Sequence, residues 1–319
     1  MMTNPAMDIR LDVIRMQNVT KAFGTTLAVR HVSLEIKRGC VFGLIGPNGA
    51  GKTTTFSMLA GYLRPSEGTL DVLGFNPQNV EALRGRIGVL PQDAILPPNE
   101  SVGKLLTHFA RLQGAMTSAK ANEEAKSVLA EVEGASWWDV KCSSLSHGMA
   151  KRVGIAQAFL GTPEVILLDE PTAGLDPKIA YEIRQILRKR RGRSTLVISS
   201  HNMHELEELC DAAAILDHGQ LVSIGSMADL TASSQEIHVI LSAGPRPIEQ
   251  VRALACAKLV VFDESTSDLV VTFDVSASNG VDSEHVIGEV LRVLLREGAR
   301  ISGVSKGKGL EQRVMELTK

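Results

Sequence analysis

A glycine-rich octapeptide constrains this chain more than any other feature of its sequence. Residues 46–53 read Gly-Pro-Asn-Gly-Ala-Gly-Lys-Thr, follow the apolar run Val41–Ile45 and precede a helical pattern through Leu59. This is the phosphate-binding pattern GxxxxGK[ST] in its required context of strand, loop and helix. Backbone N–H groups of such a loop turn inward around phosphates. We therefore predict a nucleotide-binding α/β fold, in which Lys52 reaches the β- and γ-phosphate oxygens and the Thr53 hydroxyl holds Mg²⁺.

A second apolar run ends in two carboxylates. Val165–Leu168 reads as a buried strand of a parallel sheet, and Asp169 and Glu170 follow it directly. After a phosphate-binding loop, Asp169 is suited to the Mg²⁺ shell and Glu170 to polarising an attacking water. The alternative is a buried strand whose two terminal acids are merely solvated.

Further motifs lie before, between and after these two, and their order along the chain is informative. They are Phe23 in Lys21-Ala-Phe-Gly24, Gln92 in Gly88-Val-Leu-Pro-Gln92, Leu145-Ser-His-Gly-Met149, Pro171-Thr-Ala-Gly-Leu-Asp176 and His201. The set resembles the ATP-binding subunits of ABC transporters, in which an aromatic A-loop, a Q-loop, an LSGGQ signature, a D-loop and a switch histidine occur in this order. Alone, Phe23 is as often a core residue, and His201 is more often a core or capping histidine.

The resemblance implies that each ATP is sandwiched between two protomers, so that the phosphate loop of one faces Ser146 and Gly148 of the other. It implies that Glu170 is the general base and that His201 contacts the γ-phosphate, with Gln92 and Lys52 also catalytic. Asp176 is expected to communicate between the two sites. The implied nucleotide contacts are Phe23, Gly46, Pro47, Asn48, Gly49, Ala50, Gly51, Lys52, Thr53, Thr54, Ser146, Gly148 and Asp176, and the implied Mg²⁺ ligands are Thr53, Gln92 and Asp169.

The signature departs from the family pattern at two positions. Met149 replaces glutamine, a variation familiar among drug- and lipid-export relatives, and His147 replaces the first glycine. The His147 imidazole could add a donor near the γ-phosphate or point to solvent, and we expect the solvent orientation. Residues 309–318 resemble the C-terminal segment of ATPases paired with two-component exporters, which together with Met149 favours export.

The chain is predicted to contain two domains after a short leader. The leader is 1–11, and an ABC ATP-binding domain follows over 12–232, with an antiparallel β subdomain and a helical subdomain at about 95–160. Strand-like and helix-like patterns in 235–319 follow the order β-α-β-β-α-β, which predicts a small ferredoxin-like α+β domain. Its strand 269–275 places Leu269, Val271, Phe273 and Val275 on one face.

Composition limits the possible partners. Acidic and basic residues nearly cancel, at 36 against 34, so no charge bias toward nucleic acid is present. No apolar run approaches the ~20 residues that span a bilayer, and the four scattered cysteines indicate reduced cytosolic thiols. The basic run 188–193 is interpreted as a helix C-terminus rather than an RNA or lipid patch.

These features predict a cytoplasmic protein, peripheral on the inner face of the membrane, whose partners are an integral-membrane permease and a second ATP-binding subunit, most simply an identical copy. A soluble ABC ATPase acting on ribosomes or DNA is the first alternative. A single set of motifs, and only 117 residues between Lys52 and Asp169, disfavour it. A catalytically silent partner is the second alternative, and the presence of both Glu170 and His201 disfavours it.

Overall fold

The computed structural model describes residues 12–114, 117–232, 236–273, 283–306 and 310–318. It divides between Met227 and Ala228 into two compact units. The leader predicted over 1–11 lies outside the described residues.

A six-stranded sheet carries the motifs of the first unit. Its strands are β3 (Val41–Ile45), β5 (Ile87–Leu90), β6 (Val165–Asp169), β7 (Thr195–Ser199), β8 (Ala212–Asp217) and β9 (Gln220–Ser226), in the order β5-β6-β7-β3-β8-β9. Only β9 runs antiparallel to its neighbour. Every residue of β3, β6 and β7 is buried, which explains why these strands read as continuous apolar runs. The carboxyl ends of β3, β6 and β7 therefore lie at the same end of the sheet. We call this end, with Asp169 and Glu170, the carboxylate edge.

A second, antiparallel sheet confirms the predicted β subdomain. It consists of β1 (Asp12–Phe23), β2 (Thr26–Lys37) and β4 (Glu67–Val72), in the order β2-β1-β4. Its buried side chains share one apolar core with β3 and with helix α1 (Lys52–Leu59). The core thus fixes the phosphate loop between two sheets.

The segment between β5 and β6 is helical, as predicted. The short α2 (Val80–Leu83) precedes β5, and the segment after β5 contains α3 (Val102–Leu112), α4 (Ser118–Glu131) and α5 (His147–Phe159), with 3₁₀ turns at Ala135–Trp137 and Cys142–Ser144. Side chains of Ser101, Thr117 and Ser146 cap the three long helices by accepting from backbone N–H groups. Val102, Leu105 and Leu106 are buried in this subdomain and contribute to its core.

Three further helices are α6 (Pro177–Arg188), α7 (Met203–Leu209) and α8 (Met227–Ala232). The boundary between the two units falls at the start of α8. The basic run begins where α6 ends, as predicted, but its arginines also make specific pairs. Arg190 is buried, lies 2.7 Å from the Glu131 carboxylate, and stacks 4.1 Å from the Phe159 ring centre.

The second unit contains a four-stranded antiparallel sheet. Its elements are β10 (Glu236–Leu241), α9 (Ile248–Arg252), β11 (Ala257–Asp263), β12 (Asp268–Phe273), α10 (Ser283–Arg296), β13 (Ile301–Lys306) and α11 (Leu310–Leu317), and the strand order is β11-β12-β10-β13. The described elements follow the order β-α-β-β-α-β expected from the sequence. Leu269, Val271 and Phe273 are buried together, whereas the expected strand residue Val275 lies outside the described residues.

All four cysteines are free thiols. Within the described ranges, none of the helices combines the length and apolar character needed to cross a bilayer.

Candidate functional site: a phosphate loop and a carboxylate edge

The phosphate loop is shaped by glycines that tolerate no side chain. Gly51, which precedes α1, has a φ of 96°, and a Cβ there would lie 2.6 Å from the Ala28 carbonyl oxygen. A Cβ on Gly46 would lie 2.2 Å from the Leu216 carbonyl oxygen. No side chain caps α1, so its first N–H groups remain available to an anion.

Lys52 is buried at the start of α1 and bends back over the loop. Its Nζ donates to the carbonyl oxygens of Gly46 and Pro47, at 2.7 and 3.1 Å. Burial lowers the pKa of Lys52, and attraction to Glu170 and Asp169 opposes that effect. The ammonium therefore lies within electrostatic reach of both carboxylates, and phosphate oxygens could replace the two carbonyl acceptors.

The exposure of the remaining loop residues is compatible with phosphate binding. Pro47, Asn48 and Gly49 are exposed, whereas Ala50 is buried under the loop. Thr53 is exposed and Thr54 is half-buried in the first turn of α1. The Thr53 hydroxyl is thus accessible, as the predicted role in holding Mg²⁺ requires.

Asp169 and Glu170 occupy the carboxyl end of β6 and are both buried. The Ser199 hydroxyl, at the end of the neighbouring β7, donates to Asp169. Glu170 has a φ of 51°, which is uncommon for a residue other than glycine. Its N–H points to Ser199, 3.2 Å from the carbonyl oxygen and 3.1 Å from the hydroxyl. The β6–β7 pairing therefore fixes both carboxylates.

His201 lies beside Glu170. The distance between His201 Nδ1 and Glu170 Oε2 is 2.8 Å, and the imidazole is otherwise exposed. The structure thus brings together the two residues that are predicted to act as switch histidine and general base, although they lie 31 positions apart in the chain.

Gln92 follows the carboxyl end of β5, the strand next to β6, and is exposed. No hydrogen bond joins it to Asp169 or Glu170 in the part of the chain that the structure describes. Its predicted roles in catalysis and metal binding remain predictions.

Phe23 ends β1 at the hairpin into β2, and about half of its surface is exposed. The Lys21 ammonium lies 5.1 Å from the centre of its ring and donates to the Arg64 carbonyl oxygen at 2.8 Å. An exposed aromatic ring held by its strand is suited to stacking on a base. The core interpretation of Phe23 is thereby disfavoured.

The signature residues make contacts with α5 and α6 of their own chain. Ser146 caps α5, with its hydroxyl 3.3 Å from the Met149 N–H, and a Cβ on Gly148 would lie 2.8 Å from the Ile179 side chain. His147 is exposed, as expected, and its Nε2 lies 3.4 Å from the position of a Cβ on Gly174. Among the described residues no hydrogen bond links Ser146 to the phosphate loop, and the predicted contact of Ser146 and Gly148 with a nucleotide held by a second protomer remains a prediction.

Asp176 has a local structural role in this chain. It caps α6, with its carboxylate accepting from the Ile179 N–H at 3.1 Å, and Pro177 occupies the first helical position. The predicted role of Asp176 in communication between two sites remains a prediction.

Sequence reasoning missed several buried polar residues around this edge: Lys151, Thr172, Ser199, Ser200 and Glu205. Burial lowers the pKa of Lys151, and attraction to Glu170, Asp169 and Asp93 opposes that effect. Thr172 carried a signal, because it lies in the motif 171–176, and so did Ser199 and Ser200, because they directly precede His201.

The fold and site define a nucleotide-hydrolysing protein of the phosphate-loop class, with a helical insertion between phosphate loop and carboxylate strand. The family model described as ABC transporter matches residues 29–173. The Nod factor export ATP-binding protein I of Burkholderia lata is 37% identical over 73% of this chain and 77% of that relative. The linearmycin resistance ATP-binding protein LnrL of Bacillus subtilis is 31% identical over 84% and 86%.

Solved structures of ATP-binding cassettes are also similar to this chain. A dimeric ATP-binding cassette in a post-hydrolysis state, bound to ADP and phosphate, has a TM-score of 0.61 and 26% identity over 67% of this chain and 98% of that one. CbiO1 from Clostridium perfringens, part of an ABC transporter complex, has a TM-score of 0.62 and 26% identity over 69% and 90%. The chain belongs to the ABC transporter family, as an ATP-binding and ATP-hydrolysing subunit.

Proposed function

We propose that this chain powers an exporter, through ATP-driven dimerisation coupled to a separate membrane permease. The observation that supports this most directly is the carboxylate edge, where Glu170 lies against His201 and within reach of Lys52, while the Ser146 hydroxyl of the same chain caps α5. The site therefore has a complete base and phosphate loop but needs a second copy to supply Ser146 and Gly148. The dimer of the similar cassette supports this arrangement.

The catalytic residues divide the reaction between them in this proposal. Glu170 accepts the proton of the attacking water, and His201, 2.8 Å away, orients Glu170 and the γ-phosphate. Lys52 neutralises charge that develops on the phosphate oxygens. The exposed Thr53 hydroxyl and the Asp169 carboxylate, with Gln92, are the oxygen donors that Mg²⁺ prefers. When bound, Mg²⁺ would neutralise charge on the β- and γ-phosphates.

Closure of the dimer is a population shift driven by ligand binding. ATP contacts the signature of the second subunit only when the dimer is closed, so binding favours the closed state. The helical subdomain begins after Gln92 and contains the signature at the start of α5, which places it to pass this motion to a permease.

A cleft of about 840 Å³ in the helical subdomain offers a surface for that partner. Its lining combines aromatic, basic and acidic side chains: Glu100, Lys104, Phe109, Arg111, Trp138 and Asp139. We propose that a cytoplasmic segment of the permease docks there, which holds the chain at the inner face of the membrane. The near-neutral net charge gives no reason to propose a nucleic-acid partner.

Export is supported by the printed names of the relatives, which include Nod factor export and linearmycin resistance proteins. Met149 in the signature agrees with this direction. The residues 12–232 are proposed as the ATPase domain, and 235–319 as an accessory domain.

The test of the catalytic assignment is Glu170→Gln. We expect turnover to fall by about 10²–10⁴-fold, because the general base is lost, while ATP affinity is kept and a dimer accumulates on size-exclusion chromatography with ATP. Glu249→Gln, at an exposed glutamate of α9, is the matched control and should behave like the parent chain. Normal turnover in Glu170→Gln, or a strictly monomeric ATP-bound protein with its permease present, would overturn the proposal.

The permease is tested by co-expression with a candidate membrane partner. The chain should sediment with membranes only when that partner is present. Lys104→Glu, in the cleft, should reduce co-sedimentation while the basal ATPase rate is kept, and Lys120→Glu, exposed on α4 outside the cleft, should not. Equal co-sedimentation of both variants would exclude the cleft as the docking site.

A further inference from the structure

A buried carboxylate connects two loops of the site that the mechanism above treats separately. Glu205, in the first turn of α7, is only 2% exposed. The Thr172 hydroxyl lies 2.7 and 2.6 Å from its two carboxylate oxygens, and the Ser200 hydroxyl lies 3.2 Å from one of them. Both hydroxyls are donors to the carboxylate, so Glu205 holds two segments that are 28 positions apart in the chain.

The two segments carry the residues that act on the γ-phosphate. Thr172 follows Glu170 by two positions, and Ser200 directly precedes His201. Three links join them in sequence order: Ser199 to Asp169, His201 to Glu170, and Glu205 to Thr172. The first two links involve groups that are already assigned to the reaction. The third touches none of these groups.

Hydrogen bonding, rather than close packing, holds this third link. A cavity of about 310 Å³ opens beside it, and its lining includes Thr172, Gly174, Leu175, Ser200, His201 and Glu205. Loops that border open space gain little from dispersion contacts on that side. The Thr172 and Ser200 hydroxyls are therefore two of the contacts that fix these loops next to the cavity, beside backbone hydrogen bonds such as that from the Leu175 N–H to the Thr172 carbonyl oxygen.

A carboxylate is a costly way to fill this position. Burial raises the pKa of Glu205, and the two hydroxyls and the charge of Arg184 oppose that effect. An apolar side chain would fill the same space without the cost of burying a charge. What the carboxylate adds is two acceptors that fix the positions of two donors.

We propose that Glu205 is a positioning residue, which locks the loop of Thr172 to the loop of His201 so that Glu170 and His201 stay aligned for hydrolysis. A shift of either loop is then passed to the other through one carboxylate. The inference rests on the proposed function of Glu170 and His201, and it adds a residue that touches neither nucleotide nor metal.

The test changes each end of the link. Thr172→Val keeps the shape of the side chain but loses the hydroxyl, and Glu205→Gln loses the charge and replaces one of the two acceptor oxygens with an N–H₂ donor. We expect each to reduce kcat by about 10–100-fold, the range for a small misplacement of reacting groups, while the Kd for ATP changes less than about threefold. Thr172→Ser, which restores the hydroxyl, should recover most of the parent kcat. Glu207→Gln, at an exposed glutamate of the same helix, is the matched control and should leave both values unchanged.

The double variant Thr172→Val/Glu205→Gln distinguishes a shared link from two separate defects. Because Glu205→Gln weakens the contact that Thr172→Val removes, we expect the double variant to lose about as much kcat as Thr172→Val alone. The inference is overturned if Thr172→Val turns over at the parent rate, if Kd rises in step with the loss of kcat, or if the two losses multiply. Should Glu205→Gln fail to fold, Thr172→Val and Thr172→Ser decide the question alone.

The outcome for Glu170→Gln separates the two proposals. If Glu170→Gln is inactive and the Thr172 and Glu205 variants are normal, only the positioning role fails. If Glu170→Gln turns over normally, the assignment of the base fails, whatever the Glu205 variants do.

Discussion

The two units of this chain bury apolar side chains in the same way but treat polar ones differently. Among the described residues, every buried charged or hydroxyl side chain lies in the first unit, between Thr20 and Glu205. In the second unit, the nearest equivalent is the pair of His238 and Asp268, 2.7 Å apart and only partly buried. Burying polar groups costs free energy unless they are paired. The first unit bears part of this cost at the edge where its phosphate loop and carboxylates meet, and part of it elsewhere, as at Thr20 and Arg190.

This difference indicates where the chemistry lies. A domain that only has to fold can be built as the second unit is, with an apolar core between a sheet and helices. The first unit has such a core as well, but adds Lys52, Asp169, Glu170 and Glu205 in buried positions. Changes in the first unit should therefore affect turnover before stability, and changes in the second should do the reverse.

Gly51→Ala should give the largest effect. A Cβ at Gly51 would lie 2.6 Å from the Ala28 carbonyl oxygen, on backbone with a φ of 96°, so the phosphate loop must move. We expect ATP affinity to fall by about 100-fold or more, since small displacements of binding groups have effects of that size. Equilibrium binding of a fluorescent ATP analogue measures it.

The control for Gly51 is Gly192→Ala. Gly192 has a φ of 77°, but no atom lies within 4 Å of an added Cβ. The left-handed strain alone should cost about 1–2 kcal/mol of stability and leave ATP affinity unchanged. Equal loss of affinity in both variants would show that strain, and not the contact with Ala28, explains the result.

The strands of the site were predictable because their cause is local. Val41–Ile45 and Val165–Asp169 are continuous apolar runs followed by a glycine loop or by acids, and they form β3 and β6 as expected. Asp176, as the cap, and Pro177, as the first helical residue, likewise mark the start of α6. Motif order then gave the expected roles of Glu170 and His201, and the structure adds that the two side chains are in contact.

The supporting residues were not predictable because their cause is tertiary. Glu205 is an ordinary polar residue in the sequence and Thr172 is one unassigned position of a motif, and only the pairing of β6 with β7 brings their segments together. The burial of Lys151 and the second role of Gly148, packed against Ile179, depend on how α5 lies in the fold. No pattern of spacing within one segment carries that information.

Phe273→Ala tests whether a change in the second unit lowers stability without lowering turnover. Phe273 is 1% exposed in the core of the second unit, and its truncation should cost about 3–5 kcal/mol. We expect residues 236–273 to become sensitive to limited proteolysis at lower urea concentration, while the ATPase rate stays within about twofold of the parent. Leu259→Ala, at a 57% exposed position of β11, is the matched control and should change neither value. A loss of turnover that follows the loss of stability would contradict the separation of roles.

Gly288→Ala is a glycine substitution in the second unit, to be compared with Gly51→Ala in the first. Gly288 lies inside α10, and no atom lies within 4 Å of an added Cβ. Alanine favours the helix by about 0.8–1.0 kcal/mol over glycine, so this change should stabilise the second unit by about that amount. A higher urea midpoint for its proteolytic sensitivity, with unchanged ATPase, is the expected result. A destabilised variant would show that this helix face has a packing partner.

His147→Gly should give the smallest effect, although it alters the signature itself. His147 is exposed, and its imidazole lies beside Gly174 rather than among the buried polar groups of the edge. Ser146 still caps α5 and Gly148 still packs against Ile179 in the variant. We therefore expect kcat and the Kd for ATP to remain within about twofold, with superimposable rate profiles between pH 6 and 8, the range in which a histidine titrates. A changed profile would mean that the imidazole takes part in turnover, and that an exposed group of the first unit can matter as much as its buried ones.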